Sequence, residues 1–177
     1  DNAYGEDGEA IGRDIRQTGG LQLISWMIID PKPEIQQQAL LVLGNLCSDA
    51  CDPRSSLTKK MLLEQGGQRA LLMALSSETP TTLVYACGCL QNLVHDDDWA
   101  QLLVSHKAEQ RLEALLTHDN YQVVHYAAGA LKNMMPRAGK KAELQGLPAP
   151  ALRASAAVPR RTRLRSTRPA PCTMRSA

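Results

Sequence analysis

Aromatic side chains are scarce in this 177-residue chain: two Trp, four Tyr and no Phe, 3% in all. A core of stacked rings is excluded, so Leu, Ile, Val, Ala and Met must fill the interior, which suits close packing of helices. No run reaches the roughly 18 apolar residues of a membrane-spanning helix, so no transmembrane span is expected. Gly-rich phosphate loops, a nucleophile elbow and an HExxH zinc motif are all absent from the sequence. His95, His106, His118 and His125 share no spacing with each other or with Cys, which argues against a zinc site. The chain is therefore expected to be no enzyme and to need no cofactor or metal. Five cysteines show no paired spacing, which favours a reducing compartment; a cytoplasmic location is expected, with the nucleus as an extension. Cys87 and Cys89 would stand about 200° apart around a helix, a poor geometry for a shared metal.

The net charge of +2 conceals a division. Residues 1–136 hold 10 Lys/Arg against 17 Asp/Glu, and residues 137–177 hold 10 Lys/Arg against one acid, Glu143. The second stretch is rich in Ala, Arg, Pro, Ser and Thr, too poor in large apolar residues to offset chain entropy, and is expected to be a disordered basic tail over 137–177. Arg160-Arg161-Thr162-Arg163-Leu164-Arg165 has the composition of a nuclear-localisation or nucleic-acid-binding patch. The plainer reading is a tail without a role.

A repeat occupies the rest. Ala39-Leu40-Leu41-Val42-Leu43-Gly44-Asn45-Leu46, Ala86-Cys87-Gly88-Cys89-Leu90-Gln91-Asn92-Leu93 and Ala127-Ala128-Gly129-Ala130-Leu131-Lys132-Asn133-Met134 share one pattern, their Asn 47 and then 41 positions apart. A period in the forties built from helical segments means a helical solenoid. The same offsets bring Gly19-Gly20 onto Gly66-Gly67 and Lys107-Ala108. They also align Ile24, Leu71 and Leu112, then Ile28, Leu75 and Leu116, as the stripe of a second helix. Pro33 and Pro80 each lie 12 residues before their Asn, where a helix's first turn tolerates a missing N–H; the third repeat has Tyr121 there, behind Asp119-Asn120, good capping residues. First helices fit Ile11–Gln17, Leu57–Gln65 and Trp99–Ser105. The repeats read as 11–49, 55–96 and 98–136, with Pro136 stopping the last helix. Repeat three lacks the Gly pair, so its first turn is expected to differ. Residues 49–56, rich in Asp, Pro and Ser, read as an exposed loop. Residues 1–10 form a polar N-terminal segment, and the chain, starting without Met, reads as a fragment; Asn2 stands 43 before Asn45, which leaves open that a truncated repeat ends there.

These motifs, in phase over about 11–135, resemble the armadillo repeat. The resemblance implies an all-α, right-handed α-solenoid whose third helices line a concave groove. On a wheel of about 100° per residue, Ala39/Val42/Leu43/Leu46, Ala86/Cys89/Leu90/Leu93 and Ala127/Ala130/Leu131/Met134 form the core face. Gln38/Leu41/Asn45/Asp49, Tyr85/Gly88/Asn92/Asp96 and Tyr126/Gly129/Asn133/Arg137 fall on the groove side, and Gln91 on a surface side. The candidate partner-binding residues are Asn45, Asn92, Asn133, Tyr85, Tyr126, Gly88 and Gly129. An Asn amide pairs with both polar groups of a peptide unit, so a row of them can hold an extended chain; the alternative is a local structural role for each Asn. Gly88 and Gly129 imply close approach by a neighbouring helix or a ligand. Importin-type grooves carry Trp where this chain has Leu41, Gly88 and Gly129, so recognition of basic nuclear signals is not expected. Asp96-Asp97-Asp98 reads as a helix start. The expected function is a scaffold or adaptor that binds a partner protein's extended peptide. The alternatives are a recognition or regulatory module of a ubiquitin-ligase or chaperone assembly, and, more weakly, nucleic-acid binding through the tail. Exposed repeat ends would favour self-association.

Overall fold

A computed structural model describes the backbone of residues 3–144 and the side chains of residues 7–135. Among the described residues the helices come in three successive triplets. The first is α1 (Ala3–Gln17), α2 (Gly20–Met27) and α3 (Pro33–Leu46). The second is α4 (Ser55–Glu64), α5 (Gln68–Ala74) and α6 (Pro80–Leu93). The third is α7 (Asp97–Ser105), α8 (Ala108–Ala114), extended by a 3₁₀ turn at Leu115–Thr117, and α9 (Tyr121–Leu144).

Local chemistry sets these boundaries. Pro33 and Pro80 stand at the first turns of α3 and α6, behind extended residues Lys32 and Thr79. Before α9, Asn120 caps instead, its Oδ1 accepting from the Gln122 N–H at 2.9 Å. Asp96 Oδ1 caps α7 by accepting from the N–H groups of Asp98 and Trp99 at 3.0 and 3.2 Å, so the acidic run is a helix start.

The turn between first and second helices has the same shape in every repeat. Gly19 (φ 77°), Gly66 (φ 74°) and Lys107 (φ 58°) all adopt the left-handed conformation. The third turn is therefore unaltered despite losing its glycines. Tertiary packing holds Lys107 in a region that costs an L-residue about 1–2 kcal/mol. The following position differs in its tolerance: a Cβ on Gly67 would stand 2.6 Å from Leu62 Cγ, whereas Ala108 fits, fully buried.

The second-helix stripe faces the core: Ile24, Leu71, Leu112, Ile28 and Leu75 are buried, and Leu116 packs against them half-exposed. The third helices form the spine, α6 lying between α3 and α9. Trp99 is fully enclosed, its Nε1 donating to the Lys59 carbonyl at 2.9 Å and tying the third triplet to the second.

Four expectations are corrected. The N-terminal segment and the first helix are one element, because α1 begins at Ala3 rather than Ile11. The 49–56 loop is not simply exposed: Asp52 and Ser55 are buried, Asp52 pairs with Arg16 at 2.5 Å, and Arg16 also donates to Thr58 Oγ1 at 2.8 Å. Glycines make this docking feasible, since a Cβ on Gly8 or Gly12 would collide with the Cys51 carbonyl or the Asp52 carboxylate. Helix α9 runs through Pro136 to Leu144. One proline removes one helical bond and kinks the chain, while Ala, Lys, Glu and Leu beyond it favour helix. Finally, Cys51 is disulfide-bonded, unlike the free, buried Cys47, Cys87 and Cys89. Asn2 and residues 145–177, which include the basic patch, lie outside the described residues.

Candidate functional site

The three repeated Asn residues occupy matching places in the repeats, next to last in α3 and α6 and midway along the longer α9, each half-buried. Asn92 Nδ2 donates to the Gly44 carbonyl at 3.0 Å, and Asn133 Nδ2 donates to the Gln91 carbonyl at 3.2 Å. Both acceptors immediately precede the Asn of the previous repeat. The amides thus clip successive third helices together, a role between repeats rather than within one. A side-chain amide has two N–H groups and a carbonyl, so one such bond leaves it chemical capacity for a second partner. Asn133 Nδ2 also lies 3.2 Å from His95 Nε2.

Tyr85 and Tyr126 are half-buried against the core. Burial, then the neighbouring Tyr121 and Tyr85 phenols, raise the Tyr126 pKa above its ordinary value. On α9 itself, His125 links Tyr121 and Tyr126 into one ring cluster. The His125 ring meets Tyr126 edge-on at 5.2 Å and lies 6.3 Å from Tyr121. Tyr121 and His125 were not among the candidates. Their one-turn spacing is visible in the sequence, but Tyr121 reads there as a helix start.

Gly88 is buried within α6. At Gly129 the space of a Cβ is taken by the Gln91 carboxamide, whose Nε2 would lie 2.7 Å from it; a neighbouring helix, not open groove, approaches this glycine. Gln91 is accordingly half-buried and makes inter-repeat contacts, contrary to its assignment as a surface position. The core face is as expected except that Leu131 is half-buried and Val42 is 40% exposed. Val42 belongs to the first repeat, where nothing described covers it.

No three His, Cys, Asp or Glu side chains converge as a metal site among the described residues. Burial pushes the Cys87 thiol up to about 12. A hydrogen bond with Cys47, burial and the Cys47 charge raise that of Cys89. Protonated, enclosed thiols are poor nucleophiles. No helix among the described residues is long and apolar enough to cross a membrane.

Stacked helix triplets of this kind have counterparts among solved structures. A designed armadillo repeat protein in complex with the peptide (KR)4 superposes with a TM-score of 0.64 at 17% identity, over 75% of this chain and 56% of that one. The fold is that of an armadillo repeat solenoid. A second designed armadillo repeat protein matches with a TM-score of 0.64 at 17% identity, over 77% of this chain and 58% of that one. An engineered protein matches at 0.65 and 22%, over 81% and 60%. This chain thus spans a little over half the length of these solenoids. No family model and no curated protein matches the sequence. The architecture is an all-α, right-handed solenoid of armadillo repeats.

Proposed function

We propose that this solenoid is a scaffold or adaptor that holds an extended segment of a partner protein along α3, α6 and α9. The observation that carries this reading is the row Asn45, Asn92 and Asn133, repeated in phase on successive third helices. The Asn92 amide keeps hydrogen-bonding capacity beyond its link to the neighbouring repeat. Tyr85 and Tyr126 flank the row and supply flat apolar faces with a polar tip. Gly129 contributes indirectly, by leaving room for the Gln91 side chain of α6 against α9, while Gly88 lies buried within α6. A designed relative of this fold binding a peptide supports the reading.

The test begins with a random-peptide display selection on the full chain. The same selection on the Asn45→Ala/Asn92→Ala/Asn133→Ala variant, confirmed folded by circular dichroism, should recover few of the same peptides. Equal recovery by the two proteins would place binding elsewhere.

A further inference from the structure

The two repeat junctions inside the molecule reveal what the outer face of the first repeat is shaped to meet. Ile11, Leu23 and Val42 are 57%, 56% and 40% exposed. Moving along the repeat, Ile11 corresponds to Thr58 and Trp99, both 0% exposed. Val42 corresponds to Cys89 and Ala130, at 1% and 0%, and Leu23 to Ala70, at 8%. The equivalent of Leu23 in repeat three, Arg111, reaches back to the Leu72 carbonyl at 2.7 Å. In repeats two and three, then, these positions meet the preceding repeat. General surface greasiness does not explain the pattern: Trp26 and its counterpart Met73 are both 62% exposed and lie outside it.

Between α1, α3 and the docked loop this face opens into a cavity of about 310 Å³, whose lining includes Ile11, Ile15, Val42, Asn45 and Leu46. Asn92 and Asn133 each clip to a carbonyl of the preceding third helix. Asn45 Nδ2 has no such carbonyl partner among the described residues. The opposite end of the solenoid is different: His125, Ala128 and Lys132 are exposed where repeat two has buried Val84 and Cys87 and half-buried Gln91. Two of these three positions thus carry a polar or charged side chain, His125 and Lys132. That end is a poor complement for the apolar face, so head-to-tail stacking of this chain on itself is disfavoured.

We infer that the apolar face of the first repeat is a docking surface for one further helical repeat stacked in the same register. Its third helix brings a small residue onto Val42, as Gly44 lies over Cys89 with its Cβ position 3.6 Å from Cys89 Cα. That helix also offers Asn45 a main-chain carbonyl, while its neighbouring apolar side chains fill the cavity.

The probe is an added repeat, made by joining residues 1–54 directly to Gly8 of the full chain, so that Gly8 takes the place of Ser55 after the natural loop. This protein should melt in one transition, several degrees above the original. Val42→Asp or Leu23→Asp in the original, now covered, repeat should abolish the gain. The same changes in the unextended chain should leave its melting temperature nearly unchanged, and Trp26→Ala should be neutral in both. An added repeat that melts separately, or brings no rise, overturns the inference. Sedimentation of the unextended chain provides a second readout. Concentration-dependent association lost on Val42→Asp would assign the face to a second copy and overturn it also. A fall in the melting temperature of the unextended chain on deleting residues 145–177, matched by Val42→Asp in the intact chain, would assign the face to the tail, with the same consequence.

Discussion

At the scale of single residues, Lys107 and Asp52 reveal most. Lys107 sits at φ 58° where the other two repeats have glycine. Replacing it by Gly removes the steric penalty of the left-handed conformation, which exceeds the added entropy of an unfolded glycine. Lys107→Gly is expected to raise stability by about 0.5–1 kcal/mol, read from a chemical denaturation midpoint. Asp52 and Arg16 form a buried ion pair at 2.5 Å. Removing one partner leaves the other charged and enclosed, so Asp52→Ala should cost about 3–5 kcal/mol. Replacing both, as Arg16→Met/Asp52→Leu, should recover most of that loss, because well-packed apolar groups replace such pairs at little net cost. A double mutant no better than the single would show that the loop is held chiefly by other contacts. Neither residue's role could be read from composition. The left-handed turn at Lys107 is imposed by neighbouring helices, and Asp52 lies in a stretch whose Pro and Ser content signals exposure.

Among the elements, the third helices are the most sequence-legible, because their residues repeat in kind as well as in spacing. Pro33, Pro80 and Asn120 mark their starts, and the small and Leu positions mark the buried side of α6. Helix α9 is less legible at its far end, since Pro136 is a local stop signal while the Ala, Lys and Leu residues after it favour continuation to Leu144. The wheel also misassigned Gln91, because a wheel separates core from surface within a helix and carries no information about the next repeat. Leu90 is fully buried, and Leu90→Ala should cost about 2–5 kcal/mol. Gln91→Ala should cost about 1 kcal/mol at most, losing side-chain packing over Gly129 while its main-chain carbonyl still accepts from Asn133. Equal losses at the two positions, measured by urea denaturation, would contradict the assigned orientation of α6.

For the whole molecule, stability is distributed along nearest-neighbour junctions, and Asn92 and Asn133 belong to those junctions. The architecture was legible because a repeat states the same instruction three times, with Gly19, Gly66, Pro33 and Pro80 as phase markers. The junctional use of the Asn amides was not, because a helical wheel gives the direction of a side chain but not which groups on the adjacent helix lie within reach. A structural and a binding role therefore have to be separated by experiment. The most direct measurement is a calorimetric titration of a display-selected peptide into the wild-type chain, Asn92→Ala and Asn133→Ala, each paired with a thermal melt. Each variant is expected to lose about 1 kcal/mol of stability through its broken clip, and also about 0.5–1.5 kcal/mol of affinity in the folded fraction. If the melts fall while the affinity of the folded fraction stays at the wild-type value, the Asn row serves the junctions alone and the peptide groove is contradicted.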